Sequence, residues 1–192
     1  GIAERFGTPR RTLLTEARPS VAAANSRKNA PVLELADTPC RVYLSTTGRI
    51  VRVDAAADGA EPAVVPAVRR RTKHDAIRSM VTTTSRTELG AVTNLGRLVR
   101  FSPIDLPHVP ENSIQLSAGV KVADYIALAN KKERVVGLVS LTSTEPFAIG
   151  TRMGVVKRVT PGNYPNRPDF DVITLKAGDM VVGVDSAPDG SE

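Results

Sequence analysis

The 192 residues are 41% apolar but only 4% aromatic, with no tryptophan, so the core must come mainly from Val, Leu, Ile and Ala, and β-strands are the first expectation. A formal net charge of +6 and a pI of about 9.8 favour a polyanionic partner. The single cysteine, Cys40, excludes an internal disulfide and a thiolate metal cluster and fits a reducing, cytosolic setting, and no apolar run approaches the roughly 18 residues that a membrane span requires.

Taken in chain order, residues 1–6 are expected to close a helix, with Gly7 as its cap and Pro9 blocking continuation. Residues 1–14 are too charged for a secretory signal, and a chain opening on Gly1 reads as a piece of a longer polypeptide. Residues 15–30, rich in Ala, Ser, Asn and charge without period, read as a linker.

From residue 31 onward the sequence repeats. Residues 40–53 (CRVYLSTTGRIVRV), 88–101 (ELGAVTNLGRLVRF) and 146–159 (PFAIGTRMGVVKRV) align without gaps on Gly48, Gly96 and Gly154. Two apolar-rich runs around Ser/Thr-x-x-Gly predict a β-hairpin, with glycine supplying the positive φ that such a turn demands. A second pattern recurs as residues 75–81 (DAIRSMV), 133–139 (ERVVGLV) and 179–185 (DMVVGVD), each a dense apolar strand opened by a carboxylate, with Gly137 and Gly183 at matching positions. A third pattern, 119–128 (GVKVADYIAL) and 171–175 (DVITL), is expected to be the further strand that ends a unit, and it runs into the loops holding Lys131–Lys132 and 176–178. Residues 54–66 and 105–112 are long excursions between strands.

Four short strands in a unit of roughly 50 residues predict an all-β, propeller-like array. Adjacent apolar residues such as Val135–Val136 and Val181–Val182 are expected where both faces of a sheet are covered by neighbours. The expected units are 31–74, 75–130 and 131–178, with 179–192 beginning a fourth.

No catalytic constellation is visible. His74 and His108 lack ligand-type partners at metal-binding spacing, and there is no phosphate loop or nucleophile elbow. Asp169 and Asp171 share a face if they lie on a strand, a pair that more often flanks a loop than performs acid–base work. Tyr43, Tyr125 and Tyr164 read as core or loop residues. Neither catalytic nor metal-binding residues are expected, and no cofactor is expected within these residues.

What recurs is basic charge. Arg52, Arg100 and Arg158 hold one equivalent hairpin position, with Lys157 beside the last, and Arg49 and Arg97 hold another. They are expected to form a stripe along one edge. Arg69, Arg70, Arg71 and Lys73 form a separate cluster beside an excursion. The planar fork of arginine suits bidentate phosphate contact, and the scarcity of aromatics disfavours stacking on single strands, so double-stranded DNA backbone is the expected target. The alternative is a propeller-like protein-interaction scaffold with a basic rim.

The repeats resemble the C-terminal β-pinwheel of the A subunit of bacterial type IIA topoisomerases, DNA gyrase and topoisomerase IV. Residues 2–12 (IAERFGTPRRT) are similar to the close of the cleavage domain's last helix, with its (F/Y)G-x-x-RRT run. TNLGRLVRF followed by Asp105-Leu106-Pro107 resembles the family's T-x-x-G-x-hydrophobic-x-R and D-L-P, and ERVVGLVSL and GDMVVGV resemble its blade-opening strands. The resemblance implies a non-catalytic DNA-bending domain of an A2B2 enzyme, nucleoid-associated in a bacterial cytoplasm. The resemblance places ATP, Mg and the active-site tyrosine on other domains or on the B subunit. Gyrase carries a Q-(K/R)-R-G-G-(K/R)-G box in its first blade. Here residues 53–75 are Ala- and Pro-rich and end in RRRTKHD without R-G-G, which points to the topoisomerase IV type.

Overall fold

Each of the three anchor glycines closes a hairpin turn in the left-handed backbone region, at φ +78° for Gly48, +84° for Gly96 and +82° for Gly154. In each turn the glycine amide donates to the carbonyl three residues back, on Ser45, Thr93 and Thr151, at 3.0, 3.0 and 3.1 Å. The computed structural model describes residues 36–55, 76–111 and 114–188, all but Ala36 within the compact unit Asp37–Glu192. The sequence-predicted helix at 1–6, the linker at 15–30 and the cluster Arg69–Lys73 lie outside the described residues.

The strands are β1 (Pro39–Ser45), β2 (Arg49–Asp54), β3 (Ile77–Thr84), β4 (Leu89–Thr93), β5 (Arg97–Phe101) and β6 (Val120–Lys121). A helical turn α1 (Val122–Tyr125) follows, then β7 (Val135–Ser140), β8 (Phe147–Thr151), β9 (Val156–Val159), β10 (Asp169–Asp171) and β11 (Val181–Ser186). They form three sheets, in the orders β3-β1-β2-β6, β7-β4-β5-β10 and β11-β8-β9, with every strand pair antiparallel. Each sheet is built on one hairpin and is completed by strands lying further along the chain. Thus β3 and β6, both in the expected second unit, complete the first sheet, with β4 and β5 of the second sheet between them in sequence. Periodicity reveals the length of a repeat but not its phase, and hydrogen bonding sets the phase here.

Sheet stacking explains the dense apolar strands. One core lies between the first and second sheets and includes Val42, Leu44, Ile50, Leu89, Ala91, Val99 and Val135. The next lies between the second and third sheets and includes Val92, Leu98, Val136, Ile149 and Val181. Side chains alternate across a strand, so the neighbours Val135 and Val136 enter different cores, as do Ala91 and Val92. Full burial of each such aliphatic side chain contributes roughly 1.5–3 kcal/mol. In the third sheet Val181 is 1% exposed while Val182 is 47% exposed, because only one face of β11 is covered by the described residues. The excursion through Val109, Ile114 and Leu116 packs against Tyr43, Val51 and Val53 on the first sheet.

Two segments differ from the sequence expectation. Residues 119–128 form a two-residue strand and one helical turn instead of a long strand. The apolar pair Val122 and Ile126 stands at helical spacing, both bury in the first core, and Ile126 N donates to Val122 O at 2.9 Å. The strand expected over 171–175 is Asp169–Asp171 instead, because Val172 N turns to the Gly96 carbonyl and Val172 and Ile173 enter the second core.

Candidate nucleic-acid interface

Each of the hairpin cations expected along one edge is hydrogen-bonded within the protein. Arg97 is bound on two sides: its Nε and Nη2 donate to the two carboxylate oxygens of Glu133 at 2.9 Å each, and Nη1 donates to Asp169. Arg52 pairs with Asp54 at 2.8 Å and donates to the carbonyls of Pro103 and Ile104. Arg100 pairs with Glu88 at 3.3 Å and donates to the Pro165 carbonyl at 2.9 Å. These three side chains are one-fifth exposed or less. Arg49 donates to the Gly119 carbonyl at 2.7 Å, Lys157 to Val172 O at 2.7 Å, and the exposed Arg158 to Ala187 O. Register explains the pattern. Arg49 and Arg97 face β6 and β10, strands supplied by later segments, and their long side chains tie those segments to the hairpin.

A different basic edge emerges at the turns. In all three sheets the second turn residue donates its amide to the loop that precedes the sheet's third strand: Thr46 N to Ala76 O, Asn94 N to Arg134 O and Arg152 N to Met180 O, each at 2.9 Å. Asn94, 5% exposed, goes further. Its Oδ1 accepts from Arg134 N at 2.8 Å, its Nδ2 donates to Lys132 O at 3.2 Å, and its carbonyl accepts from Val181 N at 2.9 Å. One side chain and its backbone therefore join the loop before β7 to the start of β11.

Two of the carboxylates that open these strands, Glu133 and Asp179, are held by internal hydrogen bonds, and Glu133 is buried. Glu133, 4% exposed, accepts from Thr93 Oγ1, from Arg97 and from Ala129 N. Burial pushes its carboxyl up, and the hydrogen bonds from Arg97, Ala129 and Thr93 outweigh this and hold it below the usual range. Asp179 accepts from Met153 N at 3.0 Å and Met180 N at 2.8 Å, and despite some desolvation its carboxyl is likewise held low by these amides and the Thr151 hydroxyl. The cations of the same loops, Lys131, Lys132, Arg134 and Lys176, are exposed. Sequence reading marked the opening carboxylates and the Lys131–Lys132 loop without connecting them. The role of Asn94 had no signal in sequence, because a turn asparagine is ordinary.

Other reactive groups are disposed structurally. Burial pushes the Cys40 thiol up to about 11, so it stays protonated. His108 is half-exposed and sits 3.6 Å from Asp54. Tyr43 is buried, Tyr125 donates to Ser102 O at 2.6 Å, and Tyr164 lies against Phe170. Asp169 and Asp171 both lie on β10, where Asp169 serves Arg97. Among the described residues, no group of His, Cys, Asp and Glu is arranged to hold a metal ion, and no helix is long and apolar enough to cross a membrane.

Stacked antiparallel sheets, each combining a hairpin with strands supplied by a later segment, define a β-pinwheel. Solved structures that superpose on it include topoisomerase domains. The chain matches the C-terminal domain of DNA topoisomerase IV with a TM-score of 0.56 and 21% identity over 79% of its length. It matches the E. coli ParC C-terminal domain with a TM-score of 0.54 and 18% identity over 78% of its length. The DNA gyrase A C-terminal domain follows at a TM-score of 0.49 and 14% identity over 79% of the chain. The chain spans about half of each of these structures: 46%, 56% and 48%. At such identities the likeness is one of fold. No protein-family model matches the chain, and no curated protein matches it in sequence.

Proposed function

We propose that this chain binds the phosphate backbone of double-stranded DNA and does no chemistry itself. In this reading it acts as a DNA-bending or DNA-guiding part of a type IIA topoisomerase A subunit. The carrying observation is the pairing of a topoisomerase IV C-terminal fold with exposed cations whose neighbouring carboxylates, Glu133 and Asp179, are already hydrogen-bonded to other groups of the chain. Duplex DNA presents closely spaced phosphates, and a surface that keeps its positive charge in water while its carboxylates are engaged by internal hydrogen bonds attracts them. The cluster Arg69–Lys73, just ahead of Ala76 in sequence, belongs to the same reading as a further phosphate contact.

By resemblance, the parent enzyme is an A2B2 tetramer with ATP and Mg sites elsewhere, working in the bacterial cytoplasm. The missing R-G-G box in residues 53–75 favours decatenation and relaxation over gyrase-type wrapping. The test is competition between duplex and single-stranded DNA of matched length. Preference for the duplex is expected, since aromatic stacking platforms are scarce. Absence of duplex binding at low salt would overturn the proposal and leave the protein-interaction scaffold as the better account.

A further inference from the structure

The geometry points to a particular DNA-contacting surface: the turn edge formed by Lys131, Lys132, Arg134, Arg152 and Lys176. This inference rests on the DNA-binding reading above and assigns its site.

The first ground is continuity. Asn94 bonds Arg134 through both its backbone amide and its side-chain oxygen, bonds Lys132 through Nδ2, and accepts from Val181 through its own carbonyl. The loop carrying Lys131–Arg134 is thereby fixed beside the start of β11. Arg152 belongs to the next hairpin turn, which is held to the loop carrying Lys176 by Arg152 N to Met180 O and by Arg152 Nη2 to Gly178 O at 2.7 Å. Two loops and two turns from neighbouring sheets thus form one connected edge.

The second ground is charge. The edge presents five exposed cations, and its two carboxylates, Glu133 and Asp179, are engaged with turn groups. A cation in water beside an internally occupied carboxylate can exchange its counterions for phosphates without breaking the fold. The third ground is contrast. Arg52, Arg97 and Arg100 would each have to leave a carboxylate partner to reach DNA.

The experiment measures duplex affinity of the 192-residue chain at several salt concentrations, using a short linear duplex of mixed sequence. It compares the wild type with K131A/K132A/R134A and with K157A/R158A, which removes two exposed cations of the strand β9. The first variant is expected to bind at least tenfold more weakly at low salt. Its log–log salt slope should be shallower by roughly 0.9 for each phosphate contact removed. The second variant is expected to stay within twofold of wild type with an unchanged slope. All five substituted side chains are exposed, and unchanged thermal melts would confirm that both variants fold. Equal losses in both variants, a loss only in K157A/R158A, or no loss in either would each overturn the turn-edge assignment. Failure of the wild type to bind duplex would instead overturn the DNA-binding reading itself.

Discussion

Glu133 and Arg97 form a two-point ion pair beneath the second hairpin turn, with Nε–Oε1 and Nη2–Oε2 both at 2.9 Å and the Glu133 side chain fully shielded from solvent. The pair joins the loop before β7 to the first residue of β5. Removing one partner of such a buried pair leaves an uncompensated charge, which costs about 3–5 kcal/mol. Glu133→Gln retains one acceptor, so a loss of about 2–4 kcal/mol is expected in urea unfolding, with the midpoint lowered and the slope unchanged.

The same pair sets an acid limit. Glu133 is held below its usual value of 4.5 and Asp179 below 3.8 in the folded state. A carboxyl with a depressed folded pKa contributes stability that is present above its unfolded value and lost as pH falls through the folded one. Thermal midpoints are therefore expected to hold above about pH 5 and fall below about 4.5. In Glu133→Gln this acid limb should be flatter. An equally steep limb in the variant would assign the sensitivity to other carboxyls.

Asn94 is expected to be the most sensitive turn position. Asn94→Ala leaves the Arg134 amide and the Lys132 carbonyl without their side-chain partner in a buried site, a cost of about 2–3 kcal/mol. The matching position of the third hairpin, Arg152, is exposed, and Arg152→Ala should cost less than about 0.5 kcal/mol. Chemical denaturation of the two variants side by side checks the difference.

Sheet stacking is tested by a pair of glycines. A Cβ on Gly137 would lie 2.8 Å from Val184 Cβ on the facing strand, whereas a Cβ on Gly183 would meet nothing within 4 Å. Gly137→Ala should cost about 1–3 kcal/mol through overpacking, and Gly183→Ala should stay within about 0.5 kcal/mol of wild type. Similar costs at both positions would argue against the close approach of β7 and β11.

Much of this fold was legible because its signals are local. The Ser/Thr-x-x-Gly runs gave all three hairpins, since a turn with φ near +80° selects glycine from sequence alone. Val135–Val136 signalled a strand covered on both faces, and the two residues do enter separate cores. The assignment of strands to sheets was not legible, because the pairing of β6 with β2 joins residues about 70 apart through two backbone positions. Long-range pairing also hides what the hairpin arginines do within the fold. Arg52, Arg97 and Arg100 recur with the repeat, but their recurrence reflects a repeated structural task, since each ties its hairpin through a neighbouring carboxylate and, for Arg52 and Arg100, a distant carbonyl. The inward turn of Glu133 could not be read from a carboxylate flanked by Lys132 and Arg134, two exposed cations.

In the proposed function the chain holds duplex DNA by its phosphates. The most direct measurement is the observed binding constant for two duplexes of unrelated sequence across roughly 50–200 mM salt. Equal affinities for the two sequences and a steep log–log decline are expected, with a slope near −0.9 for each phosphate neutralised. A flat salt response, or a strong preference for one sequence, would contradict it.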